Sequence, residues 1–141
     1  MKYAYDSGIY LLEICLLESK EIKIGAKGIN NFSAGFYYYI GSAQRNLKSR
    51  IDRHLKEDKN YHWHIDYFLA ESKIKNCFTW PLSGKAECKL ATYIKNKLMG
   101  EVIMPGFGSS DCKCETHLFL MPDDFIQVYN FKGEFPNIIS G

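Results

Sequence analysis

An α+β domain, with a small, mixed but mainly antiparallel sheet flanked by helices, is the fold the sequence predicts. Short apolar runs rich in β-branched and aromatic residues alternate with segments of helical period, and aromatics make up 15% of the chain. The 141 residues suffice for a single domain over 1–141 with one core, and are too few for two ordinary domains. At 46% hydrophobic and 24% charged, the composition is that of a globular protein.

The elements follow in order. Gly8–Leu17, Glu21–Ala26 and Phe36–Ser42 are apolar runs of β-formers, set off by Lys27-Gly28, Asn30-Asn31 and Gly35, so they predict a three-stranded antiparallel start. Arg45–Glu57 is helical, with Leu47, Ile51 and Leu55 recurring every fourth residue. Ile65–Ala70 is a shorter helix, and Ile74–Trp80 a strand halted by Pro81. Lys85–Leu98 is the clearest helix, its stripe formed by Leu90, Ala91, Ile94 and Leu98. Gly106–Asp111 is a loop and His117–Met121 a late strand. Pro122-Asp123-Asp124 opens a helix over Phe125–Tyr129, and the tail with Gly133 and Pro136 is extended or loose.

A formal net charge of +2 neither demands nor excludes a polyanionic partner. No apolar run approaches the ~20 residues that span a bilayer, so no membrane association is expected. The segment Met1–Asp6 lacks the apolar stretch of a signal peptide, which predicts a cytoplasmic protein. In that reducing compartment the five cysteines, Cys15, Cys77, Cys88, Cys112 and Cys114, are expected as thiols.

Chemistry concentrates in a few places. Gly8-Ile9-Tyr10 on the first strand is echoed by Tyr39-Ile40-Gly41 on the third, so Tyr10 and Tyr39 can share a face. Ser42-Ala43 follow, and then a helix carries Arg50 and His54 four residues apart. At roughly 100° per residue both lie within about 60° of Leu47, pointing toward the sheet, while Arg45, Asp52 and Lys56 point to solvent. Glu87 falls in the middle of the apolar stripe of its helix. A carboxylate there is costly unless paired or metal-bound, and the helix dipole offsets only ~0.3–1 kcal/mol.

These residues, in this order, resemble the GIY-YIG nuclease superfamily, which includes phage homing endonucleases and the incision domain of the bacterial nucleotide-excision repair nuclease. The resemblance rests on Gly8-Ile9-Tyr10, Tyr39-Ile40-Gly41-Ser42-Ala43, Asn46-Leu47, Arg50, His54 and Glu87, and its core motifs fall within residues 8–98. His62-Trp63-His64-Ile65-Asp66 and Gly106–Cys112 look like a compact archaeal and bacterial branch sometimes fused to base-excision repair enzymes. Two features depart from the pattern. Twenty-eight residues separate Tyr10 from Tyr39, more than the usual hairpin, with Glu21–Ala26 as an added strand. The family's late Asn is missing, and Ser110 or Asp111 stands in its place.

The resemblance implies a Mg²⁺-dependent DNA endonuclease, with Mn²⁺ as a substitute ion and DNA-repair proteins as further partners. Glu87 would hold the ion, Arg50 clamp the phosphate, and Tyr10 or Tyr39 position and deprotonate the attacking water, with His54 relaying the proton. Gly41, Ser42, Arg53, His64, Ser110 and Asp111 are the substrate-binding candidates, although His62 and His64 also suit a structural role beside Trp63. The basic residues between Gln44 and Asn60 suit DNA phosphates or an ordinary solvated helix. Two other functions compete: an inactive nucleic-acid-binding module of the same fold, and a zinc-dependent hydrolase or zinc-stabilised scaffold using Cys112, Cys114 and His117. Cys88 joins the cysteines that raise the zinc question, but Cys112-Lys113-Cys114 has one residue where structural zinc pairs have two to four.

Overall fold

Apolar residues at successive positions give the first strand two apolar faces, and the fold covers both. In the computed structural model, which describes residues 6–108 and 114–122, β1 (Gly8–Leu16) sits between two antiparallel neighbours. β2 (Lys20–Lys23) and β3 (Ile29–Phe32) form a separate two-stranded ribbon, joined through a 3₁₀ turn at Gly25–Lys27. β4 (Gly35–Ala43) pairs with β1 along its whole length, from Gly8 opposite Ala43 to Leu16 opposite Gly35. β5 (Lys73–Trp80) lies on the other side of β1. With β6 (Glu101–Val102) and β7 (Leu118–Leu120) the main sheet has the order β5-β1-β4-β7-β6, antiparallel throughout.

On one face Tyr10, Leu12, Ile14, Leu16, Tyr37 and Tyr39 pack against α1 (Leu47–Leu55), α2 (His64–Leu69) and the ribbon. On the other, Ile9, Leu11, Tyr38 and Ile40 meet Leu90, Ala91 and Ile94 of α3 (Lys85–Asn96). The fold is therefore α+β, as the sequence predicts. Among the described residues no helix is long and apolar enough to cross a membrane.

Three expectations need correction. The 21–26 run is not a third strand of the main sheet; it supplies β2, which turns back on β3, and Asn30-Asn31 lie inside that strand. Both sides of β1 are occupied, by β4 and by β5, which leaves β2 to pair with β3. Leu55 does not continue the α1 stripe: it is 51% exposed in the last turn, and His54 takes the buried position. The two-residue β6 carries no periodic signal and was not expected. The proposed helix at Phe125–Tyr129 and the tail around Gly133 and Pro136 lie outside the described residues.

Two glycines are fixed by close approach. A Cβ on Gly41 would come within 2.3 Å of the Tyr10 ring, which lies across it from the facing strand position. A Cβ on Gly8 would meet the Trp80 carbonyl oxygen at 2.3 Å. Both glycines of the paired motif thus have a packing reason. Asn46 opens α1 in the left-handed region, φ 58°, and its N–H and that of Leu47 bond to Asp6.

Glu13, fully buried on the α3 face, accepts from Asn76 Nδ2 at 2.8 Å. Burial raises its pKa to about 7, against the opposing hydrogen bonds of Asn76 and Tyr38. A raised carboxyl pKa gives stability that is complete below about pH 4.5 and is lost as pH climbs through about 7. Glu13→Gln should therefore stabilise the protein at pH 8 by up to roughly 3 kcal/mol and leave it little changed at pH 4. Urea unfolding at the two pH values measures the difference, and an equal effect at both rejects the cause.

Candidate active site

β4 pairs with β7 only from Tyr37 to Tyr39, and one more bond joins Ile40 N–H to the His117 carbonyl. Past that point, among the described residues, Gly41–Ala43 has only β1 as a strand neighbour. The two helical faces of the sheet meet around this gap, and Ser42 is its centre. Arg50 Nη1, from α1, donates to the Ser42 carbonyl at 2.7 Å. The Ser42 hydroxyl donates to Glu87 Oε2 of α3 at 2.7 Å. One residue thus ties the cation of one face to the carboxylate of the other.

The Glu87 side chain is 19% exposed, so it points inward, and its Oε1 lies 3.0 Å from His117 Nδ1. Both tyrosines lie on the α1 face, in one apolar cluster, and both feel the Glu87 charge. Burial lifts the Tyr10 pKa well above 10; Tyr39 and Glu87 add to the rise and Arg50 opposes it. Tyr39 is raised for the same first cause, then by Glu87 and Asp66, again against Arg50. Both phenols therefore keep their protons near neutral pH. Tyr10, Tyr39, Arg50, His54 and Glu87 all gather at this end of the sheet.

The part expected of His54 changes. Its Nε2 lies 2.7 Å from the Tyr10 hydroxyl, and the ring is buried. Burial first, then the Lys59 charge, holds its pKa down to about 3, so it does not titrate near neutrality. Since Tyr10 keeps its proton, we assign it as donor into the Nε2 lone pair, which places the imidazole proton on Nδ1. His54 is thus a fixed acceptor that orients Tyr10. A depressed His pKa contributes stability that is complete above pH 6.5 and is lost as pH falls toward 3. In His54→Gln the acid-side loss between pH 6.5 and 4 should shrink by a few kcal/mol. Parallel urea curves for the two proteins across that range would refute the assignment.

Two substrate-binding candidates turn out to hold the fold. Arg53 forms a fork with Asp66, Nη1 to Oδ1 at 2.9 Å and Nη2 to Oδ2 at 3.0 Å, and its Nη2 also donates to the Asn60 carbonyl. Three of its five N–H donors are thus engaged inside the protein. His64 Nδ1 accepts from Gly108 N–H at 3.0 Å, pinning the 104–108 turn where Gly108 abuts the Tyr39 ring. Burial, followed by Lys27, lowers its pKa, consistent with a neutral acceptor. Gly41 and Ser42 lie in the site itself. Ser110 and Asp111 lie outside the described residues.

The basic segment is also less open than its composition suggests. Lys48 pairs with Asp52 at 2.6 Å, and Lys59 folds under α1 to donate to the Arg53 and His54 carbonyls. Arg45 and Lys56 are exposed, as expected, and the Arg50 guanidinium stacks 5.0 Å from the Trp63 ring centroid. One Arg50 hydrogen bond uses Nη1, and a guanidinium has five donors, so a phosphate can still be clamped. A cavity of about 730 Å³ is lined by Lys20, Lys59, Tyr61, Asp66 and Ile74, and of the five side chains at this site only His54 borders it.

Sequence reading missed His117 as the partner of Glu87; twenty-nine residues separate them, with no periodic signal. The cysteines were expected as thiols, with zinc ligation by Cys112, Cys114 and His117 as the competing reading. Cys88 and Cys114 instead meet sulfur to sulfur, their Cα atoms 5.9 Å apart, a separation that admits a disulfide. With His117 they form a group whose ligand atoms all lie within 4.8 Å of one another, and this group could hold a metal ion.

Fold and site together define an α+β domain whose polar cluster straddles a gap at the end of an antiparallel sheet. A family model described as "Domain of unknown function DUF123" matches residues 9–135, and the chain belongs to that family. No curated protein and no solved structure matches it.

Proposed function

We propose that this protein is a Mg²⁺-dependent endonuclease of the GIY-YIG type that hydrolyses phosphodiester bonds in DNA during repair or processing, alone or beside repair proteins. The observation that carries the reading is the bracketing of Ser42 by Arg50 and Glu87, beside two buried phenols on one face. Arg50 would bind the scissile phosphate with its remaining donors. Tyr10, aligned by His54, and Tyr39, pressed by the Gly108 turn, would orient a water molecule through their hydroxyls. The donor set suits a hard, largely hydrated ion: one inward carboxylate whose oxygens each keep a second lone pair. Glu87 would hold that ion, which supplies positive charge to the phosphate and to any phenolate formed at Tyr10 or Tyr39.

The test is nicking of supercoiled plasmid, followed by cutting of branched, nicked, single-stranded and damaged oligonucleotides, with Mg²⁺ and with Mn²⁺. Metal-dependent cuts are expected. The second reading, a binding module without catalysis, draws on the raised pKa values of both phenols, which disfavour a tyrosine base. It predicts shifted mobility and no cuts with either ion, and that result would displace the nuclease.

A further inference from the structure

We propose that Cys88, Cys114 and His117 bind one zinc ion, which fastens α3 to the segment before β7 and fixes the histidine that faces Glu87. Sequence spacing raises zinc only weakly, through Cys112 and Cys114 with one residue between them, and Cys88 lies 26 residues before Cys114. The fold brings them together: Cys88 lies in the first turn of α3, and Cys114 and His117 in the segment leading into β7.

Two thiols in contact can end as a disulfide or as two ligands of one ion. The third donor separates these fates. A disulfide has no use for an imidazole, whereas a ring nitrogen of His117 and both sulfurs lie within 4.8 Å of one another, close enough for three donors to serve one ion. Soft thiolates with one imidazole select zinc over the hard ion expected at Glu87. Two further facts fit. His117 is buried, and its Nδ1 lies 3.0 Å from the Glu87 carboxylate. Metal-bound histidines commonly turn their other ring N–H to a carboxylate, which fixes ring orientation and sharpens the lone pair on the ligating nitrogen. Binding is balanced by release of one proton from each thiol, with no change in oxidation state.

Reductant-treated full-length protein should carry about one zinc per chain by elemental analysis. After chelation and unfolding without reductant, all five cysteines should react with iodoacetamide. Cys88→Ser, Cys114→Ser and His117→Asn should each weaken zinc retention against a chelator by ~100-fold or more, beyond the 10–100-fold typical of losing an outer hydrogen-bond partner. Because a variant can fail for lack of folding, Co²⁺ is loaded into the unaltered chain. Intense visible bands and a sulfur-to-cobalt charge-transfer band are expected. Absence of zinc together with a Cys88–Cys114 disulfide, or a cobalt spectrum without charge transfer, overturns the proposal. None of these readouts involves cleavage, so failure here leaves the nuclease reading standing, and the reverse also holds.

Discussion

Glu87→Ala and Arg50→Ala are each expected to lose Mg²⁺-dependent cutting by on the order of 10³-fold or more, while both variants stay folded. The fold should tolerate Glu87→Ala because the side chain is partly exposed, and its loss costs one hydroxyl bond from Ser42 and the contact with His117. A freed hydroxyl at a site open to water forfeits ~1 kcal/mol. Arg50→Ala removes one donor to the Ser42 carbonyl and one stacking partner of Trp63, and Arg53 still lies 4.4 Å from that ring centroid. Neither loss approaches the stability of a domain. Arg50→Lys separates charge from shape, since an ammonium keeps the charge without the planar fork, so most of the defect should remain. Plasmid nicking and far-UV circular dichroism on the same preparations give the answer. Retained cutting in either alanine variant removes that residue from the mechanism; lost cutting with a lost spectrum makes it structural.

The layers of this fold were legible because β1 and β4 are apolar at successive positions, so both of their faces need cover. Tyr10, Leu12 and Ile14 face one helix layer, and Ile9 and Leu11 the other, as a period of two requires. The inward turn of Glu87 could be read in the same way from Leu90, Ala91 and Ile94. What periodicity could not give was the last turn of α1. Leu55 and His54 are adjacent, and a count at 100° per residue accommodates either; the chain leaves the helix at Lys56, and the imidazole stays inside with its Nε2 bonded to the Tyr10 hydroxyl. Pairing partners far apart in sequence were equally hidden. Nothing near Arg53 announces Asp66, and nothing near Glu87 announces His117. Such pairs arise from how α2 and β7 dock, which one sequence does not spell out.

The pKa values at the site were hidden for a related reason. A histidine four residues after an arginine on a helix invites the part of a proton relay, and a free imidazole would titrate near neutrality. Enclosure by Trp63 and the two tyrosines, with Lys59 behind it, removes that capacity. Burial is a property of the assembled fold, so the spacing could turn His54 inward without revealing its protonation state.

Asp66→Ala is expected to destabilise the protein by about 3 kcal/mol or more at pH 7, the largest stability effect of any single change considered. The carboxylate is fully buried and collects the Arg53 fork together with the His62 and Trp63 N–H groups at the start of α2. Removing it strands those two donors and leaves a guanidinium 27% exposed, which water can partly rescue; hence the low end of the 3–5 kcal/mol range for broken buried pairs. Arg53→Met should cost less, because Asp66 then keeps both N–H donors and has Lys59 Nζ 4.0 Å away. The two variants differ in pH dependence as well. Burial works against the Asp66 charge, but Arg53 and the two N–H groups outweigh it and depress its pKa. Stability from a depressed carboxyl is complete above its unfolded value, near pH 4, and is lost as pH falls through the folded one. The gap between the unaltered protein and Asp66→Ala should therefore narrow progressively as pH falls below about 4, where the unfolded carboxyl takes up its proton and the folded one resists. Urea unfolding at pH 7 and pH 2.5 decides it: a gap that persists undiminished in acid would mean that Asp66 acts through packing and not through its ion pair.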